Sequence, residues 1–125
     1  MVKKKLSPSL EDYLETVYII KEESNIVRTK EIAKRLNVSL PSVTEAIQKL
    51  SKNNFLQHKK YGEVILTSKG RKTAKDVYNK HKFLFNFFKN VLKVNKRTAE
   101  KDACEIEHTL SQVTLSKLTK FLEKI

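Results

Sequence analysis

The chain has 125 residues, of which 26 are Lys or Arg and 14 are Asp or Glu, so its formal net charge is +12. This length predicts one domain, or one domain with a small appendage, and the single Cys excludes an internal disulfide framework. The sequence has neither an apolar run long enough to span a membrane nor the apolar stretch of a signal peptide, which predicts a cytoplasmic protein without membrane attachment. The excess of positive charge attracts polyanions such as nucleic acid, unless it is only a solvated lysine-rich surface.

Apolar periodicity, with only two Gly and two Pro, predicts a mainly helical protein. Residues 1–8 are predicted to form a basic arm, and a first helix capped by Ser9 follows, running to about residue 23. Two short helices, over 30–36 and about 40–53, are separated by a three-residue turn. The second has an apolar inner face and a polar outer face, as in a helix-turn-helix. That outer face consists of Pro41, Ser42, Glu45, Gln48, Lys49 and Lys52.

Two short segments, 55–58 and 64–66, are predicted to be strands of a hairpin. Lys59 and Lys60 lie in the turn between them, where they would meet DNA phosphates, with Arg28 close by. A hairpin after a helix-turn-helix makes a winged helix, and together with the positive charge this pattern predicts DNA binding. The alternative is a structural helix pair of the kind found in proteins that bind no DNA.

The last part of the chain is predicted to form a long helix from Thr67 to about residue 93 and two shorter ones over about 98–110 and 114–125. The long helix is apolar on nearly all sides over 83–92. A helix of this kind must be buried, and in so small a protein we expect it to pack against a second copy.

A possible metal site is indicated by the spacing of Cys104, Glu107 and His108. Within one helix their side chains project from an arc of about 100°. A thiolate, a carboxylate and an imidazole in one place form half of a transition-metal site. The alternative is a buried cysteine beside a surface glutamate and a surface histidine. Asp12 and Glu15, three residues apart on the first helix, either bind metal or serve only capping and solvation.

Five segments carry a family resemblance: SLEDYLETVY (9–18), VSLPSVT (38–44), LTSKG (66–70), KH (80–81) and ACEIEHTLS (103–111). In this order they resemble the diphtheria-toxin-repressor family of iron- and manganese-dependent transcriptional repressors. The resemblance covers nearly the whole chain and is to the short form without an SH3-like domain. It implies a winged helix-turn-helix DNA-binding domain over 1–72 and a helical metal-binding and dimerisation domain over 73–125.

The resemblance also implies roles for individual residues. Six would be metal ligands: Asp12, Glu15, His81, Cys104, Glu107 and His108. Nine would contact DNA at base edges or phosphates: Arg28, Ser39, Pro41, Ser42, Glu45, Gln48, Lys49, Lys59 and Lys60. Family members often carry Gln at the position of Glu45, so we expect a different operator here.

Departures from the family pattern bear on the metal. The manganese branch usually has Glu in place of Cys104 and the iron branch has Met in place of Asp12, so the predicted site is a hybrid. The thiolate favours Fe(II), Zn(II), Co(II) or Ni(II), whereas the carboxylates also accept Mn(II). We expect Fe(II) or Mn(II) as the cofactor, with the others binding in vitro. Many family members have an ancillary metal site with a Glu at the position of Phe85 and, in the iron branch, a His at the position of Glu100. Here only Glu100 and His81 remain as candidate ligands of such a site.

The function implied is that of a metal-dependent transcriptional repressor rather than an enzyme. Divalent metal would stabilise a homodimer that binds an inverted-repeat operator in double-stranded DNA and controls metal-homeostasis genes. The nearest alternative is a winged-helix regulator without metal control. Two more distant possibilities are a metal hydrolase or thiol enzyme using Cys104 and His108, and a charge-driven protein that binds nucleic acid without sequence preference.

Overall fold

A computed structural model describes residues 6–124, so most of the predicted basic arm lies outside the described part of the chain. The described residues form six α-helices and a two-stranded sheet, as the sequence predicted. Contacts divide them into two compact units, one ending at Tyr78 and one beginning at Asn79. The elements in chain order are α1 (Pro8–Ser24), α2 (Thr29–Leu36), α3 (Leu40–Lys52), β1 (Leu56–His58), β2 (Val64–Leu66), α4 (Ser68–Asn86), α5 (Lys96–Ile106) and α6 (Gln112–Glu123).

The first helix begins two residues earlier than predicted, and the assignment of Ser9 as its cap was wrong. Ser7 is the N-cap, and its Oγ accepts a hydrogen bond of 3.2 Å from the amide of Leu10. Pro8 takes the first helical position, where its fixed φ suits the helix and its missing amide hydrogen is not needed. The helix ends at Asn25, which adopts a left-handed conformation with φ of 68°.

The two short helices form the predicted helix-turn-helix. α2 ends at Asn37, which is left-handed (φ 55°), and α3 begins after Ser39, whose Oγ accepts a hydrogen bond from the amide of Ser42 at 3.3 Å. Val43, Ile47 and Leu50 are completely buried. Because these residues face inward, the outer face of α3 consists of the polar residues that the pattern predicted.

The predicted wing is also present. β1 and β2 pair antiparallel with Leu56 opposite Leu66 and His58 opposite Val64. The connection contains a short 3₁₀ turn, Lys60–Gly62, within which Tyr61 has a φ of 65° and is 91% exposed. Lys59 closes the hairpin by donating its amide hydrogen to the Glu63 carbonyl at 2.8 Å.

Gly70, near the start of α4, marks a close approach of two backbones. A Cβ placed on Gly70 would lie 1.9 Å from the carbonyl oxygen of Phe55, which is part of the backbone and cannot rotate away. Phe55 is held there because Thr67 donates its amide hydrogen to the same carbonyl at 3.1 Å, while the Thr67 hydroxyl lies 2.6 Å from the Asn54 carbonyl oxygen and 3.1 Å from that of Phe55.

We expect Gly70→Ala to lower the free energy of unfolding by about 1–3 kcal/mol, because this backbone clash outweighs the higher helix propensity of Ala. Urea denaturation measures the change. Lys72→Ala, at an exposed position of the same helix, is the control and is expected to have little effect. A Gly70→Ala protein of unchanged or higher stability would show that the two backbones are not held together at this point.

In the second unit the predicted long helix changes its winding. After Asn86 it continues as a π-helical turn, Phe87–Val91, in which the Leu92 amide donates to the Phe87 carbonyl at 3.1 Å. Lys93, with φ of 60°, ends it. α5 is capped by Asn95 and α6 by Ser111, which places the start of α6 two residues earlier than predicted. None of the helices within residues 6–124 is long and apolar enough to cross a membrane.

Candidate metal centre and DNA-binding helix

His81, on α4, is the centre of a cluster of metal-ligand side chains in the second unit. Its side chain is 13% exposed, and its two ring nitrogens face different carboxylates. Nδ1 lies 2.7 Å from Oε2 of Glu107, and Nε2 lies 2.9 Å from Oε1 of Glu100. The sequence near His81 gives little reason to choose it as a metal ligand, because the residues that surround it in the cluster lie on α5 and at its C-terminal cap.

Glu107 is the most unusual residue of the cluster because its side chain is fully buried. α5 ends at Ile106, and Glu107 keeps helical dihedral angles as the C-cap. Its Oε2 is paired with His81, but its buried Oε1 accepts no hydrogen bond from any residue in the described part of the chain. The imidazole Nε2 of His108 lies 3.5 Å from that oxygen. A buried carboxylate oxygen without a donor is costly, and a bound cation would remove that cost.

Cys104 brings a thiol to the same histidine. It is exposed on α5, and its Sγ lies 3.8 Å from both Nδ1 of His81 and Oε1 of Glu100. His81, Glu100 and Cys104 each offer a ligand atom, and these atoms lie within 4.8 Å of one another. The sequence predicted that Cys104 and Glu107 project from one arc of a helix. In the structure their environments differ, since Cys104 is exposed and Glu107 is buried.

The groups around His81 favour its charged form. Hydrogen bonding to Cys104, then to Glu107, together with the negative charges of Glu107 and Glu100, raises the pKa of His81 to about 11 despite the opposing effect of burial. These contacts therefore favour the imidazolium form of His81 when no metal is bound. It must lose this proton before it binds a metal, so metal and proton compete for the ring.

The remaining residues of the predicted site are divided between the units. Asp12 and Glu15 lie half-buried on α1 in the first unit, and His108 is half-buried beyond the end of α5 in the second. Phe85 stands at a position where many members of the resembled family have a Glu. Its ring stacks on the His81 imidazole at a centroid distance of 6.5 Å. This aromatic ring supplies no ligand atom.

The outer face of α3 presents the predicted DNA-binding residues to solvent. Pro41, Ser42, Glu45, Gln48 and Lys49 are all exposed. Ser39 is exposed as well, but its hydroxyl is engaged as the helix cap and lies 2.9 Å from the hydroxyl of Ser42. Recognition helices read base edges mainly with residues near their N-termini, which is where these side chains are found.

The wing carries two of the predicted phosphate-contacting residues and contacts a third, Arg28, which lies just before α2. Lys59 and Lys60 are exposed, and Arg28 donates a hydrogen bond of 3.0 Å from Nη1 to the Tyr61 carbonyl. Arg28 also pairs with Glu63 in an isolated β-bridge. Tyr61 itself is the most prominent side chain of the tip. Its position between Lys60 and Gly62, in a predicted turn, could have indicated that this side chain is exposed.

Two family models match the chain. Residues 5–64 match the iron dependent repressor N-terminal DNA binding domain. Residues 67–125 match the iron dependent repressor metal binding and dimerisation domain. These matches cover both units described above.

Individual relatives agree with the models. The chain is 38% identical over 120 residues to an uncharacterized HTH-type transcriptional regulator of Methanocaldococcus jannaschii, covering 95% of this chain and 96% of that protein. It is 37% identical over 112 residues to the HTH-type transcriptional regulator MntR of Bacillus subtilis, covering 90% and 78%.

Solved structures show the same fold. The manganese regulator SloR matches with a TM-score of 0.82 and 33% identity, and the metal-dependent transcriptional regulator MtsR with a TM-score of 0.85 and 30% identity. Each match covers 94% of this chain but 55% of the other, so the chain spans about half the length of these structures.

A winged helix-turn-helix followed by a helical unit with clustered metal-ligand side chains defines a metal-dependent transcriptional regulator. The chain belongs to the iron-dependent repressor family, as its five sequence motifs predicted. The family models assign DNA binding to its N-terminal part and metal binding and dimerisation to its C-terminal part.

Proposed function

We propose that this protein is a homodimeric repressor whose affinity for an inverted-repeat operator is raised by a divalent metal, and that it controls metal-homeostasis genes. The observation that carries the proposal is the buried Glu107 carboxylate, with one oxygen on His81 and the other without a donor in the described chain. A buried, half-satisfied carboxylate next to an imidazole and a thiol is the chemistry of a site prepared for a cation.

His81, Cys104, Glu107 and His108 are the proposed ligands in the second unit. The family resemblance adds Asp12 and Glu15 to this set. Glu100 is a candidate for an ancillary site or for a partner that orients the His81 ring, since it contacts the ring nitrogen opposite the one facing Glu107. The mixed thiolate, imidazole and carboxylate donors suit Fe(II) or Mn(II) as cofactor and admit Zn(II), Co(II) and Ni(II).

A bound metal would supply the positive charge that holds these side chains in one arrangement. A ligand shifts a conformational equilibrium only by its difference in affinity for the two states. If the ion binds more tightly when its ligand residues are in the DNA-competent arrangement, it favours that state. We expect a free-energy difference of about 1–3 kcal/mol, which is the usual size of such coupling.

DNA binding is proposed to place α3 of each subunit in a major groove of an inverted repeat, with Ser39, Pro41, Ser42 and Glu45 near base edges. Gln48 and Lys49 lie further along the same exposed face. The wing would contact the flanking phosphates. Two-fold symmetry of the dimer predicts two half-sites one helical turn apart, or a multiple of that distance.

Fluorescence anisotropy on the DNA upstream of the protein's own gene tests this proposal. Binding would be compared in chelator and in Mn(II), Fe(II), Zn(II) or Co(II), at fixed salt and with unrelated DNA as control. We expect tight binding only to the upstream DNA and only with metal. Equal binding in chelator and in metal would instead indicate a metal-independent winged-helix regulator.

We expect Lys59→Ala with Lys60→Ala to weaken binding to operator and unrelated DNA alike. Each lysine that releases a counterion contributes close to one unit to the salt slope, so the slope of log affinity against log salt should fall by roughly two. Titrations at several salt concentrations measure this slope. Lys72→Ala with Lys75→Ala, on α4, is a charge-matched control. A loss confined to operator DNA would contradict the phosphate-contacting role.

The dimerisation surface is proposed to lie on the second unit, which exposes large apolar side chains. Val91 and Leu92 are 52% and 55% exposed at the end of the π-helical turn, and Val113 and Phe121 on α6 are 66% and 61% exposed. Apolar surface of this kind in a small unit usually marks a protein–protein interface. It fits the sequence expectation that the apolar segment 83–92 packs against a second copy.

We expect Val91→Glu with Leu92→Glu to convert the dimer to monomer at micromolar concentration, because each subunit would place two carboxylates in an apolar contact. Sedimentation velocity measures the change. Lys101→Glu, at an exposed position of α5, alters the net charge by the same amount and should remain dimeric. A doubly substituted protein that still sediments as a dimer would exclude these two residues from the interface.

A further inference from the structure

The outer face of α3 contains a single acidic residue, Glu45, in a chain with a net charge of +12. Its side chain is 69% exposed, and it lies one helical turn after Pro41 and one turn before Lys49. A carboxylate on a helix that approaches DNA phosphates is repelled by them and weakens binding in general. Glu45 favours DNA binding only if it makes a specific contact that offsets this repulsion.

The structure shows how the repulsion is reduced. Lys49 Nζ lies 3.3 Å from Glu45 Oε1, so the lysine on the next turn partly neutralises the carboxylate. Both side chains are exposed, at 60% and 69%, and neither is tied to the body of the domain by this pair. The remaining lone pairs of the carboxylate are therefore directed towards solvent, where the major groove would lie.

An ionised carboxylate only accepts hydrogen bonds, which limits the bases that it can read. In the major groove guanine and thymine offer acceptors at these positions, and both repel it. Adenine offers its N6 amino group but has the N7 acceptor beside it. Cytosine offers its N4 amino group with no acceptor adjacent on the same base.

We infer that Glu45 reads a cytosine in each half-site of the operator, with Lys49 as the counter-charge that makes this contact tolerable. The inference rests on the proposed function, since it assumes that α3 lies in the major groove. Its alternative is that Glu45 and Lys49 form an ordinary pair of oppositely charged residues that only stabilises α3. The two interpretations differ in base preference and not in stability.

The test is a selection from duplexes with a randomised central region, using the full chain with Mn(II), for wild type, Glu45→Gln and Glu45→Ala. Selected sequences would then be compared by anisotropy in single-base variants. We expect wild type to prefer cytosine by roughly tenfold at one position of each half-site. Glu45→Ala should lose this preference, and Glu45→Gln should move it to adenine, whose N6 and N7 pair with a carboxamide.

Glu22→Gln, at an exposed position of α1, removes one negative charge without altering α3 and controls for the general gain in DNA affinity. Its base preferences should equal those of wild type. Identical preferences for wild type and both Glu45 variants would overturn the inference while leaving the proposed function intact. If wild type selects no sequence at all, the proposed function fails, and the inference fails with it.

Discussion

Glu107→Gln is expected to lower the affinity for Mn(II) by at least about a hundredfold, since even loss of a residue that only orients a metal ligand costs ten- to a hundredfold. The substitution keeps the size and shape of the side chain, so packing of the buried position is preserved. It removes the negative charge, and its amide nitrogen places hydrogens where a cation would need an oxygen. Isothermal titration calorimetry with the purified dimer measures the affinity.

Glu105→Gln is the matched control, because Glu105 lies in the last turn of α5, two residues before Glu107, and is exposed. It should bind Mn(II) as wild type does. Circular dichroism of both variants checks that the helices are retained. If Glu107→Gln bound Mn(II) with unchanged affinity, the buried carboxylate would be a structural partner of His81 and not a ligand.

Cys104→Glu is expected to change which metal binds best. A thiolate favours Zn(II) and Co(II) over Mn(II), and replacing it by a carboxylate removes that advantage. The ratio of Zn(II) to Mn(II) affinity should therefore fall, by roughly tenfold or more. Competition titrations against a chelator of known affinity give both values.

Cys104→Ser provides the spectroscopic control for this prediction. Wild type loaded with Co(II) should show near-ultraviolet absorption from thiolate-to-metal charge transfer, and the serine variant should lack it. An identical metal ranking in wild type and Cys104→Glu, with no charge-transfer absorption in either, would remove Cys104 from the metal site.

Much of the helix-turn-helix could be predicted because α2 and α3 are strongly amphipathic. Val43, Ile47 and Leu50 recur at helical spacing and are all buried, so the opposite face of α3 had to be exposed. The cap of α1 was predicted at the wrong residue, since Ser7 and Ser9 both suit an N-cap. What decides between them is Pro8, which is best accommodated at the first helical position.

The metal cluster was harder to predict because its geometry is tertiary. Spacing placed Cys104, Glu107 and His108 on one side of a helix, but it could not show that α5 ends before Glu107 or that this carboxylate is fully buried. Nor could spacing bring His81 to within 2.7 Å of Glu107, since the two lie on different helices. The π-helical turn after Asn86 has no clear sequence signal and was missed entirely.

Metal-dependent repression is tested most directly by the affinity for Mn(II), measured in the absence and in the presence of saturating upstream DNA. Coupling between two binding sites is reciprocal, so DNA must tighten Mn(II) binding by the same factor by which Mn(II) tightens DNA binding. We expect an increase of about 5- to 150-fold, equal in the two directions. Equal Mn(II) affinity with and without DNA would contradict this coupling, and the metal cluster would then have no part in regulation.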